Sequence, residues 1–311
     1  MAQKTKIGGQ AVIEGVMMKS PQGYAVVVRD DTGAIHRLKK HYKSITTRWK
    51  LFRVPIIRGM GVLIETLVIG LKTLQFSAEK AIADEKAKTS KKNKEKSDRF
   101  YIVSSMLLAF ALGIGLFIYL PWLLANWLKS LFPLLENYML LNLVDGAIRL
   151  VFFLLYLFII SRMKDIKRVF QYHGAEHKTI FAYEAGKELS VENARAFGTR
   201  HPRCGTSFLM IVLILSIILF SLLKGIDSIL LNALMRMALV PLIAGLAYEI
   251  IMLSDKLTGP VYRAIVYPGV ALQRITTSEP DDDQLETAIM ALKEVLDLEE
   301  GAHVPQTAGT D

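Results

Sequence analysis

The chain has 311 residues and a formal charge of +9; 52% of its residues are hydrophobic and its mean hydropathy is +0.33, too apolar for an ordinary soluble protein of this length. A single cysteine excludes an internal disulfide. The basic excess needs no nucleic-acid partner, because juxtamembrane Lys and Arg are drawn to anionic lipid.

The first ten residues hold two lysines and two glycines and lack the apolar core of a secretory signal, which keeps the N-terminus in the cytosol. Residues 1–50 read as a β-rich cytosolic segment. GGQAVIEGVMM (8–18) is an apolar run bounded by glycines, Tyr24–Val28 is β-branched enough for a strand, and the turn at 30–33 leads into a second arm, Ala34–Leu38. A small hairpin or meander is predicted. Residues 51–80 mix helical apolar spacing with Arg58 and Glu65, and read as an interfacial helix lying against a membrane bundle. Residues 81–99 read as a basic tether; Lys86–Arg99 alone holds seven basic residues.

Four long apolar blocks follow within residues 100–257. Residues 100–128 and 204–223 carry no charge, 228–248 carry only Arg236, and about 141–161 carry Asp145 and Arg149 at a spacing that allows them to pair. Each is long enough to cross a bilayer, so the predicted fold is mainly α, a polytopic helical bundle of four spans. The first hundred residues hold 21 Lys and Arg and the connector 162–203 holds nine, against one each near 129–144 and 224–227. By the positive-inside rule both termini and the 162–206 loop are cytosolic, in a protein of the cytoplasmic (inner) membrane. In the last segment, 258–311, Gly259 and Pro260 break any continuing helix. An amphipathic helix over about 280–300 starts at a capping-type Ser278, and its stripe of Leu285, Ala288, Ile289, Leu292, Val295 and Leu296 needs either the N-terminal domain or a second subunit to cover it.

The chemistry concentrates in one polar interval. YHGAEH (172–177) is an HxxEH array, and His201 and Cys204 follow before the third apolar block, so three of six histidines and the lone cysteine fall within 32 residues. On a helix, His173 and His177 share a face, with Glu176 near it. Such a pair holds zinc in HExxH and inverted HxxEH enzymes, where the glutamate is the base. Either His201 or Cys204 completes a three-ligand catalytic shell with a water, or both close a four-ligand structural one. Glu14, Glu184 and Glu249 are further carboxylate candidates. Arg200 and Arg203 flank the second ligand element and suit an anionic substrate group or lipid headgroups. Arg236, alone inside a span, needs a partner, for which Glu249 and Asp227 are the candidates.

At these residues the chain resembles the YqhQ-type bacterial membrane proteins, a family of unknown function whose members are taken for metal-dependent enzymes. The resemblance runs through GGQAVIEGVMM (8–18), YHGAEHK (172–178), RHPRCGTSF (200–208), Leu257 and TTSEP (276–280). It implies multi-pass membrane residence, a metal site at His173, Glu176, His177, His201 and Cys204, and Glu14 close to that site. The reading that follows is a membrane-embedded hydrolase using a divalent metal, most simply zinc, at the cytosolic face. His173 and His177 hold the ion with His201 or Cys204, and Glu176 is the general base. Its partners are membrane lipids, a membrane-protein, peptide or lipid-linked substrate, and a second copy through the C-terminal helix, with no specific nucleic acid. Two rivals are a zinc-stapled scaffold or assembly factor with a closed shell, and a small transporter built around Arg236.

Overall fold

A computed structural model describes residues 5–88, 104, 107–223, 229–253 and 259–303. Most of the basic tether, Asp227, Leu257 and the end of the C-terminal tail lie outside the described residues.

The N-terminal segment is a four-stranded antiparallel meander in the order β1 (Gly8–Val12), β2 (Gly15–Lys19), β3 (Gly23–Arg29) and β4 (Ile35–His41). The glycine-bounded run 8–18 is thus a hairpin in its own right, with Ala11 facing Val16 across the turn at Ile13 and Glu14. Strand alternation sorts the side chains onto two faces. Val16, Met18, Ala25 and Val27 face one way, while Val12, Met17, Tyr24, Val26 and Val28 face the other, and all nine are buried.

Helix α1 (Ile57–Lys88) covers the second face with Ile69 and Phe76. It runs past the expected boundary at residue 80, because AEKAIADEKAK is rich in strong helix formers. Its other neighbour is the last long apolar helix, to which Arg58 is tied through Glu249 at 2.6 and 2.7 Å.

Among the described residues three helices are long and apolar enough to cross a membrane: α2 (Leu107–Leu131), α3 (Tyr138–Ile160) and the stretch Leu234–Met252 of α6 (Ile229–Met252). Asn137 caps α3 by accepting the Met139 and Leu140 N–H groups. The remaining expected span is α5 (Gly205–Ser221), apolar but only 17 residues long, packed among α3, α6 and a helix the sequence reading missed, α7 (Pro260–Thr276). Pro260 sits in the first turn of α7, where its missing N–H costs nothing. Pro268 and Gly269 inside α7 disguised it; Gly269 is where α7 crosses the Ser207 backbone of α5.

Between the second and third apolar helices of the bundle runs α4 (Lys164–Glu184), and after α7 comes α8 (Asp282–His303). The cap of α8 is Asp281, whose side chain accepts the Gln284 N–H while Gln284 Oε1 accepts the Asp281 N–H, a reciprocal box three residues beyond the expected Ser278. Its stripe covers the chain's own sheet and α4: Leu285, Ala288, Leu292 and Val295 are at most 1% exposed in one cluster with Val16, Ala25, Tyr172 and Ala175. The face expected for either the sheet or a second subunit is therefore taken by the sheet.

Candidate metal centre

The site forms where α4, the loop before α5 and the end of α7 meet. On α4 the i, i+4 spacing brings the His173 and His177 rings to 4.4 Å between centroids. Both rings are oriented the same way: His173 Nδ1 donates to the Thr276 carbonyl at 2.8 Å, and His177 Nδ1 donates to the Thr199 carbonyl at 2.5 Å. A carbonyl only accepts, so each neutral ring carries its proton on Nδ1 and leaves Nε2 with a free lone pair. His173 Nε2 lies 3.1 Å from Cys204 Sγ, and the buried His177 Nε2 has no hydrogen-bond partner among the described residues. Burial also lowers the His177 pKa, which keeps its ring in the neutral form a metal requires.

Cys204 is the N-cap of α5, its sulfur accepting the Thr206 N–H at 3.3 Å. There the positive end of the helix dipole faces an electron-rich sulfur. One donor atom from each of His173, His177 and Cys204 lies within 4.8 Å of the others. Carbonyl-oriented imidazoles and a capping thiol fit a zinc-type cation, in donor type and in the outer hydrogen bonds that such ligands carry.

His201 is beside this group but not in it. Its ring centroid is 5.7 Å from that of His177, yet Nδ1 accepts the Arg203 N–H at 3.2 Å and Nε2 donates to Glu184 at 3.4 Å, which engages both nitrogens elsewhere. Glu184 also pairs with Arg203; burial works to raise its pKa, and His201 and Arg203 outweigh that and lower it. The loop bearing His201 is held by a residue the sequence reading passed over. Fully buried Gln273 on α7 accepts the His201 N–H at 2.7 Å and donates to the His201 carbonyl at 2.7 Å and to Ser207 Oγ at 2.8 Å.

Glu176 points from α4 towards β1. A Cβ at Gly9 would lie 2.8 Å from its carboxyl carbon, so glycine is what admits the side chain there. Burial raises the Glu176 pKa to about 7, against the opposing effects of His173 and the Ala11 N–H, and Oε2 has no hydrogen-bond partner among the described residues. Gly174 does similar work on the opposite side: a Cβ there would fall 2.1 Å from the Ser278 carbonyl, and the Ser278 N–H donates to Phe170 O at 2.9 Å, so the segment leading to α8 lies directly on α4.

The other expected residues are elsewhere. Glu14, at φ 53° in the β1–β2 turn, is bound by Arg168 at 2.5 and 2.7 Å and by the hydroxyl of Tyr172, the residue before His173, at 3.4 Å. Arg200 is exposed. Glu249 belongs to Arg58 and not to Arg236, whose carboxylate neighbour among the described residues is Asp145 at 3.6 Å. Sequence distance concealed that partner, because Asp145 was already assigned to Arg149 one turn along its own helix. Thr199 and Thr276 contribute carbonyls, which every residue has, so no side-chain pattern marks them; Gln273 lay in the helix that Pro268 disguised.

No solved structure matches this chain. It is similar to a protein of Bacillus subtilis (strain 168) described as uncharacterized protein YqhQ, at 34% identity over 298 residues, which is 94% of this chain and 92% of the relative. Residues 54–298 match the family described as protein of unknown function DUF1385; with a relative that similar along nearly its whole length, the chain belongs to that family.

Proposed function

We propose that the protein is a membrane-embedded, metal-dependent hydrolase whose ion is held by His173, His177 and Cys204. The observation that carries this is the pair of imidazoles whose Nδ1 atoms are both tied to main-chain carbonyls, with the buried His177 Nε2 left unpartnered near the sulfur. Three ligands leave a zinc-type ion one open position, and when bound it supplies Lewis acidity there. Glu176 is the residue we assign as proton acceptor, through its unpartnered Oε2. The closed-shell scaffold is the weaker reading, since each ring nitrogen of His201 already has a partner, Arg203 or Glu184, that a metal bond there would displace.

The membrane placement in this reading is four spans, with α5 as the third. Its 17 residues extend about 25 Å at 1.5 Å per residue, short for a lone span but supported by neighbours on several sides. Basic residues at the metal-bearing end then favour the cytosolic face of the inner membrane, with substrates drawn from membrane proteins, peptides or lipid-linked molecules.

The test is elemental analysis of the purified protein with turnover of quenched-fluorescent peptides and phosphoesters. The reading expects one zinc per chain, lost in Cys204→Ser and His177→Ala, and Glu176→Gln that keeps the zinc but not the turnover. Wild-type protein without metal, or ligand variants that keep it, would refute the assignment.

A further inference from the structure

A second polar centre lies among the apolar helices, at the other end of α5. Cys204 caps the start of that helix, whereas Ser216, Ile217 and Phe220 near its end line a cavity of about 240 Å³ with Asp145 and Arg149 of α3 and Arg236 of α6. Sixteen residues separate Cys204 from Phe220, about 24 Å at 1.5 Å per residue, so this centre is distinct from the metal site.

Its charges do not balance. Arg149 binds the Asp145 carboxylate through two nitrogens at 3.0 and 3.2 Å, and Arg236 reaches the same carboxylate at 3.6 Å. Among the described residues lining the cavity, one carboxylate therefore faces two guanidiniums. Arg236 is otherwise held by neutral groups, donating to Asn142 Oδ1 at 2.8 Å and Asn232 Oδ1 at 3.2 Å, with Phe220 beneath it at 5.4 Å. A guanidinium has five N–H donors; Arg149 uses three in hydrogen bonds among the described residues and Arg236 two. Surplus positive charge with unused fork donors, within apolar walls, is a setting for an oxyanion.

The walls narrow the ligand further. Phe117, Phe153, Leu213, Ile217 and Phe220 line the same cavity. Its volume is several times the roughly 30 Å³ share of one water. We propose that this pocket binds an anionic amphiphile, with a phosphate-type headgroup on Arg149 and Arg236 and apolar chain against the phenylalanines. Asp145 holds the two guanidiniums in place and sets the net charge the ligand must neutralise.

The experiment uses full-length protein in detergent, titrated with phosphatidylglycerol, with phosphatidylcholine of the same chains, and with inorganic phosphate, read by thermal shift and native mass spectrometry. Phosphatidylglycerol is expected to bind at least about tenfold more tightly than either of the others. Asp145→Asn, which frees the second guanidinium's charge, is expected to bind it several-fold more tightly, and Arg236→Gln about tenfold more weakly with zinc content unchanged. Equal binding of the two lipids, or an Asp145→Asn protein that binds phosphatidylglycerol no more tightly, overturns the proposal. Inorganic phosphate that matches phosphatidylglycerol overturns the amphiphile and assigns the site to soluble phosphate. Should neither variant fold, the wild-type preference between the two lipids decides.

Discussion

Replacing Gln273 by leucine tests whether a residue that touches no ligand governs the metal centre. Its amide satisfies the His201 N–H and C=O and the Ser207 hydroxyl at 2.7, 2.7 and 2.8 Å, in a place where Gln273 and Ser207 are fully buried and His201 is 4% exposed. Leucine is near in size but offers no polar atom, so two backbone groups and a hydroxyl lose their partner where water does not reach. At about 1–3 kcal/mol for each orphaned group, the two backbone groups alone give a loss of roughly 2–6 kcal/mol. That is a large share of the about 5–15 kcal/mol that holds a typical domain together. The same loop carries Cys204 three residues on, so zinc affinity is expected to fall roughly 10–100-fold, the usual effect of losing an outer-shell contact. Differential scanning fluorimetry in detergent reads the first effect and chelator competition the second. Gln273→Glu retains the acceptor for the His201 N–H but not the donors, and belongs in between. A leucine variant with wild-type melting and wild-type zinc affinity would refute the idea that this amide positions the loop.

The two histidine elements should separate in a zinc competition assay: His177→Ala loses binding, while His201→Ala, whose ring nitrogens serve Glu184 and Arg203, stays within a few-fold of wild type. Gly174→Ala drives a methyl group against the Ser278 carbonyl and is expected to cost about 1–3 kcal/mol, read as a lower melting temperature and faster proteolysis of the C-terminal helix. Leu292→Ala, in the cluster between sheet and α4, is expected to destabilise by about 2–5 kcal/mol in the same melting assay. Acid should loosen the junction between α1 and the sheet. Burial tends to raise the Glu65 pKa, but Lys19 and the Ile45 N–H, each at 2.7 Å, outweigh it and hold the value below the ordinary 4.5. A lowered folded-state value gives stability above that pH that is lost as pH falls through the folded value, so the advantage of wild type over Glu65→Gln should shrink below pH 4.5 in unfolding curves.

What the sequence disclosed divides along a physical line. Features made by neighbours in the chain were readable: the long apolar blocks that became α2, α3 and α6, the β-branched run Tyr24–Val28, the stripe of α8 and the one-turn spacing of His173 and His177. Features made by distant contacts were not. Arg236 has Glu249 and Asp227 as its candidates nearer in sequence; Asp227 lies outside the described residues, Glu249 pairs with Arg58, and the fold sets Arg236 against Asp145. His201 looked like a ligand by type and position, and Glu184 and Arg203 claimed its nitrogens. Both glycines beside the site were visible as letters, but their purpose required knowing which backbone or carboxylate passes over them. Helix α7 was lost because Pro260 opens it and Pro268 interrupts its pattern, although its last turn supplies two of the contacts that shape the proposed metal centre.

The lid on the meander is also the last of the described helices to be synthesised. Gln22 in the turn before β3 donates to Glu299 across 277 residues of chain, and the face of the sheet that α4 covers in part is completed by α8. At a ribosomal rate of about 5–20 residues per second, roughly 15–55 seconds pass between the emergence of the two partners. Throughout that interval the part of the sheet that α8 covers stays exposed. A chain that stops short of α8 keeps that part of the sheet open, and exposed apolar surface of this kind favours aggregation.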